Sequence, residues 1–256
     1  MGVLTNNTSG SFNTSVGAES LYYSKTGEKN TALGYWALHK LETGSGNTAI
    51  GHRTLLNNKS NDYNTAIGYQ SDAGASISNA TAIGNGAFVS SSNSVRIGNT
   101  SVTKIGGQVA WSNTSDGRIK ENVQEAVPGL SFISELRPVT YTINTKKQDE
   151  ITMQAMPGSI KEKRMLSDEE YLKSSSIVRT GFIAQEVEAA AEKVGFDFDG
   201  VSTPKNENDL YGIRYAEFVV PLVKAMQEQQ EIIEQQRIDF QRQLQVLLER
   251  IEALEK

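Results

Sequence analysis

Residues 47–51 read NTAIG, and the phrase returns as NTAIG at 64–68 after NTSVG at 13–17 and NTALG at 30–34. The closing glycines Gly17, Gly34, Gly51 and Gly68 stand seventeen residues apart each time. Degenerate copies, ATAIG ending at Gly84 and SVRIG ending at Gly98, follow at closer intervals. A second position, four residues after glycine, holds Leu21, Leu38, Leu55 and Phe88, and Asp72 breaks it. An unordered Ser/Asn/Gly linker has no reason to keep an aliphatic residue at one phase, so the period points to stacked repeats. One repeat cannot close a core alone. Stacking lets Val16, Leu33, Ile50, Ile67, Ile83 and Ile97 form an interior ladder, with Asn and Gly at the corners. The fold expected here is a β-solenoid or β-roll. Coils advancing by about 4.8 Å would give a stem roughly 30 Å long. So slim a body has little interior, and side-by-side association of identical chains is expected to cover its edges and faces.

A different period rules the last quarter. Val219, Met226, Ile233, Phe240, Leu247 and Leu254 recur every seven residues, and Val223, Leu244 and Ile251 occupy a second seam that Gln230 and Arg237 interrupt. Sustained heptads predict a coiled coil, with polar seam residues setting register and strand number. The competing arrangement is an amphipathic helix packed within its own domain. Pro221 suits either if it lies in the first turn. The heptad does not fix the number of strands.

Composition bounds the rest. A chain of 256 residues has room for two folding units, and a hydrophobic share of 38% is low for a conventional core throughout. Without cysteine there is neither a disulfide framework nor a thiolate metal site. A net charge of -5 and a pI near 5.3 argue against a general phosphate-backbone binder, so nucleic acid is not an expected partner. No apolar run approaches a membrane span and nothing resembles a signal peptide, so no membrane insertion is expected. No cofactor or metal is expected. The opening MGVLTNNTSG reads as the cut edge of a longer protein.

Residues 13–98 resemble the head repeats of trimeric autotransporter adhesins, and that resemblance implies a trimeric β-roll. A second resemblance covers the C-terminal half. SDGRIKENV from Ser115, LRPVTYTIN at 136–144, GFIAQEVE at 181–188 and IRYAEFVVPLVKAMQEQQEII at 213–233 are similar, in order, to motifs of the intramolecular chaperone auto-processing domain. That domain ends phage tailspikes, tail fibres and endosialidases and is also a self-cleaving serine peptidase. The resemblance implies a homotrimer whose C-terminal domain assembles the β-stalk and then cuts itself away. It further implies Ser115 as nucleophile, Lys120 as general base and Thr114-Ser115 as the severed bond.

First principles allow this chemistry. A serine hydroxyl needs a base, and a lysine serves if burial or nearby positive charge lowers its pKa from about 10.4. Ser/Lys pairs are a known variant of the serine triad, and the only histidines, His39 and His52, lie in the repeats. A spacing of five residues does not make helix neighbours, so Ser115 is expected before a helix or on a turn with Lys120 folding back. Asp116 and Arg118 either orient the lysine or form an exposed ion pair or cap. Asn122 is an oxyanion donor or a helix surface residue. Gln185 and Glu186 are weaker candidates for positioning the dyad, while Phe182 and Ile183 read as core.

The stretch 146–180 is a charged insertion between two motifs, with a short helix SDEEYLKS capped by Ser167. It either decorates the surface or contacts the stalk. The expected partition is a repeat stalk at 1–110, a chaperone domain at 111–214 and a coiled-coil helix at 215–256. The second resemblance implies a virion tail fibre or tailspike, with the chaperone domain released in the host cytoplasm. The alternative is a bacterial surface adhesin whose C-terminal domain trimerises without cutting. A host receptor or glycan partner belongs to parts not identified, although Tyr22, Tyr23, Tyr35 and Trp36 cluster in the early repeats, where they stack on a sugar or pack between chains.

Overall fold

The computed structural model describes residues 2–254, so the last two residues of the expected 215–256 helix lie outside the described residues. A β-solenoid is followed by a mixed α/β region and a long terminal helix, the order expected from sequence. The described chain divides into two compact units. One is built from the chain up to Ala110, Tyr141–Arg179 and Pro204–Leu210, the other from Trp111–Thr140, Thr180–Thr203 and the chain from Tyr211 onward.

In the first unit, β1 (Thr14–Val16), β2 (Thr31–Leu33), β3 (Thr48–Ile50), β4 (Thr65–Ile67), β6 (Thr81–Ile83) and β8 (Val95–Ile97) form one parallel sheet in that order. Like pairs with like: Thr14, Thr31, Thr48, Thr65 and Thr81 align, as do Ala32, Ala49, Ala66 and Ala82. A shorter parallel pair, β5 (Asp72–Ala73) with β7 (Phe88–Val89), aligns Asp72 with Phe88.

The interior is not the one the sequence pattern suggested. Side chains alternate across a strand, and here the middle residue points in. Ala32, Ala49, Ala66 and Ala82 are buried, whereas Val16, Leu33, Ile67, Ile83 and Ile97 are exposed. Coils this narrow accept a methyl where a larger aliphatic side chain would not fit. The second pattern supplies the apolar column instead, with Leu21, Leu38, Leu55 and Phe88 all buried. Corners are closed by a buried asparagine ladder. Asn30 Oδ1 accepts from Asn47 N at 2.9 Å, Asn47 Oδ1 from Asn64 N at 3.0 Å and Asn64 Oδ1 from Ala80 N at 3.0 Å. Glycine follows each strand of the six-stranded sheet, at positive φ each time. Gly34 has φ +138, and a Cβ there would lie 2.5 Å from the Gly51 carbonyl oxygen in the next coil.

The insertion packs on this solenoid. It leaves β9 (Val139–Tyr141), returns at β10 (Arg179–Gly181), which pairs with β9, and folds as α2 (Thr145–Thr152), α3 (Gly158–Arg164) and α4 (Asp168–Ser175). Ser167 caps α4 through a reciprocal capping box with Glu170. In the last coil Arg96 replaces the inward alanine, aligned with Ala82. Burial lowers the pKa of this half-buried arginine, and Asp149 of α2 opposes the shift. Asp149 Oδ2 also accepts from Thr100 Oγ1 and from the Tyr171 hydroxyl, both at 2.8 Å. Two coils earlier, Asp72 interrupts the leucine column and lies beside Arg164 of α3, whose Nη2 is 3.9 Å from Oδ2.

Burial pushes the Asp72 carboxyl up to about 6 from an ordinary 3.8, with Arg164 opposing the shift. Between those values the folded chain holds a proton that the unfolded chain releases. Stability from this group is therefore greatest below pH 4 and is lost as pH rises through about 6. The swing is of order 2–3 kcal/mol at roughly 1.4 kcal/mol per pKa unit. Urea midpoints at acid and neutral pH are expected to differ less in Asp72→Asn than in the parent. Burial also raises the Asp149 pKa, so part of the dependence is expected to remain.

In the second unit Phe132, Val187, Ala190, Ala191 and Phe218 form the core, with Phe182, Phe196, Phe198, Val201 and Ile213 against it. The elements are α1 (Leu130–Ile133), α5 (Ala184–Lys193), the antiparallel pair β11 (Val201–Ser202) and β12 (Gly212–Ile213), and α6 (Val219–Leu254). Glu228 of α6 caps α1, accepting from Leu130 N at 2.7 Å. A Cβ at Gly129 would lie 2.6 Å from Ala225 N. Gly129→Ala is therefore expected to cost about 1–3 kcal/mol by forcing α1 from α6, read as a lower urea midpoint.

Beyond its first turns, which hold Pro221, the helix α6 has no cover among the described residues. Ala225 is its last buried residue, whereas Val219, Val223, Met226, Ile233, Phe240, Leu244, Leu247, Ile251 and Leu254 are all exposed. Packing within its own domain thus accounts only for the start of this helix.

Candidate active site

Residues 103–106 and 110–116 run without regular structure to a short 3₁₀ turn at Gly117–Ile119. Asp116 makes the turn possible, its Oδ1 accepting from Arg118 N at 2.9 Å as N-cap. Lys120 closes it, its N–H donating to the Gly117 carbonyl at 3.3 Å. One tight turn therefore separates Ser115 from Lys120. Lys120 Nζ donates to Ser115 Oγ at 2.8 Å.

Both side chains are exposed, as is Thr114 on the other side of the adjoining peptide bond. The neighbouring apolar side chains Val109, Trp111, Ile119 and Val123 are exposed as well, Trp111 by 88%. A lysine amine accepts a proton only in its neutral form, which removal from water favours. Among the described residues of one chain, nothing removes Lys120 from water.

The other sequence candidates fall into separate roles. The Arg118 guanidinium forks onto the Asp116 carboxylate, Nε lying 3.1 and 3.0 Å from its two oxygens. This hydrogen bonding holds the Asp116 carboxyl below its ordinary range. Arg118 thus pins the turn and does not contact Lys120. Asn122 has φ +52, a left-handed residue that redirects the chain just past the lysine. Glu186, in the first turn of α5, is held by Arg137, whose Nε donates to Oε2 at 3.1 Å. Gln185 is exposed on the same helix. The structure brings together Ser115 and Lys120, and it gives Glu186 the task of tying the GFIAQE segment to LRPVTY.

That Arg137–Glu186 pair was not anticipated, although both residues sit inside quoted motifs. The Asp72–Arg164 pair had one signal, the break at Asp72 in an otherwise apolar column. Among the described residues no cluster of His, Asp and Glu is suited to a metal ion, and no helix is long and apolar enough to cross a membrane.

Residues 115–196 match the family model Peptidase_S74, described as chaperone of endosialidase. The match begins at Ser115 and takes in the Arg137–Glu186 pair and all of α5. No curated protein and no solved structure matches the chain.

Proposed function

We propose, from the match of residues 115–196 to the chaperone-of-endosialidase family, that the chain assembles its own β-stalk as a homotrimer and then cuts itself free between Thr114 and Ser115. The observation that carries this reading is the 2.8 Å hydrogen bond between Lys120 Nζ and Ser115 Oγ beside an exposed peptide bond. The mature product would be the stalk of a virion tail fibre or tailspike.

The chemistry is a single turnover. Ser115 Oγ attacks the Thr114 carbonyl carbon as neutral Lys120 takes its proton. The tetrahedral intermediate collapses by breaking the bond to the Ser115 nitrogen, which receives the proton, and leaves an ester between Thr114 and Oγ. Water then hydrolyses that ester, giving a Thr114 carboxylate and a free Ser115 hydroxyl. A nucleophile covalently next to its target is present at very high effective concentration, which suits a catalyst used once.

Assembly supplies what one chain lacks. The exposed seam of α6, the outward ladder from Val16 to Ile97 and the apolar side chains around the dyad are surfaces that identical chains would bury together. Burying the last group would exclude water from Lys120, so the cut would wait for the assembly. The insertion supports a chaperone role, since Asp149 of α2 accepts from Thr100 just past the last coil and Arg164 of α3 lies beside Asp72 of the fourth. N-terminal sequencing of the C-terminal product tests the reading. A fragment beginning at Ser115 is expected. A start elsewhere would remove Ser115 as nucleophile, and an uncut, folded trimer would favour the non-cleaving adhesin.

A further inference from the structure

A cavity of about 240 Å³ lies between the second to fourth coils and helix α3. Its wall includes Trp36, Arg53, Leu56, Ile160, Lys163 and Arg164. The charge there is unbalanced. Lys40 and Lys163 join the two arginines, and Asp72 is the only carboxylate in the lining.

Arg164 is the telling residue. Its side chain is 3% exposed, and neither terminal guanidinium nitrogen has a hydrogen-bond partner among the described residues. Asp72 approaches no closer than 3.9 Å. Arg53 repeats the pattern, with an unpartnered buried Nε and its guanidinium 4.7 Å from the centre of the Trp36 ring. Buried guanidinium donors are costly to leave unmade, and a planar fork of donors suits a carboxylate. The cavity falls below the roughly 300–1,000 Å³ of drug-sized sites, which limits an occupant to one ring. Leu56, Ile160 and Trp36 give that ring an apolar wall.

We propose that this cavity binds a small organic carboxylate bearing a single ring, its carboxylate on Arg164 and Arg53 and its ring along Leu56 and Ile160. The proposal does not depend on the autoproteolytic reading, because every residue it uses lies in the stalk or the insertion. Asp72 competes with such a ligand for Arg164, so its removal strengthens binding.

The full chain carrying Ser115→Ala, to keep it whole, and Trp111→Phe, to leave Trp36 as the sole indole, provides the test. Trp36 fluorescence is titrated with glucuronate, glucose, acetate and sulfate. Glucuronate is expected to saturate in the millimolar range, with no saturation by glucose at the same concentrations. Arg164→Gln and Arg53→Gln are each expected to weaken glucuronate about tenfold or more, and Asp72→Asn to tighten it. If circular dichroism finds Arg164→Gln misfolded, Arg53→Gln, which leaves the insertion unchanged, decides. No saturation by glucuronate, or equal titration of the parent and Arg53→Gln, would overturn the site. Acetate or sulfate matching glucuronate would overturn the ring-bearing ligand.

Discussion

Ser115→Ala is expected to leave the chain whole at 28.0 kDa under conditions in which the parent separates into two pieces. Removing Oγ removes the hydroxyl to which Lys120 Nζ donates at 2.8 Å across the turn at Gly117–Ile119. Nothing about the turn should change, because its cap is the Asp116 carboxylate and its pin is Arg118. Lys120→Ala is expected to slow the cut by about 10²–10⁴-fold, the usual worth of a positioned general base. Lys120→Arg separates a base from a mere anchor. Arginine keeps the charge and the reach to Oγ but does not give up its proton, so it is expected to be as slow as alanine. A Lys120→Arg chain that cuts at the parental rate would reduce the lysine to a positioning role. Intact mass over time reads all three variants.

Breaking the α6 seam is expected to have the second large effect. Ile233 and Leu244 are exposed in one chain and sit in the two seam positions. Ile233→Glu with Leu244→Glu would set like charges from each copy against one another in a desolvated seam. Assembly is expected to weaken at least about 10³-fold, leaving monomers by light scattering. Cleavage should fall with it, because the exposed Lys120 of a lone chain stays in water. Gln229→Glu, an exposed position off the quoted seams, serves as the control and should assemble and cut normally. Monomers that cut at the parental rate would show that one chain completes the dyad unaided.

Much of this architecture could be read from residue spacing. The seventeen-residue period placed the strands, and it marked Leu21, Leu38, Leu55 and Phe88 as a second column without showing that this is the buried one. The first pattern misled for a physical reason. In a Thr-Ala-Ile strand the inward residue is chosen by room and not by hydrophobicity, so alanine goes in and isoleucine is left facing outward. Spacing alone could not distinguish an aliphatic ladder inside one chain from one on its surface. The Ser115–Lys120 approach was legible because five residues and a strong cap leave little freedom. The insertion's grip was not, since it joins Asp72 to Arg164 and Thr100 to Asp149 across long stretches of chain. Helices α2 and α3 gave no comparable signal, whereas α4 announced itself through Ser167 and Glu170.

Native mass spectrometry of the parent chain during refolding tests assembly and cutting together. The expected sequence is uncut monomer, then uncut trimer, then a trimer of stalks ending at Thr114 with chaperone fragments beginning at Ser115. Cut monomers appearing before any trimer, or a trimer that remains whole indefinitely, would contradict a chaperone that assembles first and severs itself afterwards.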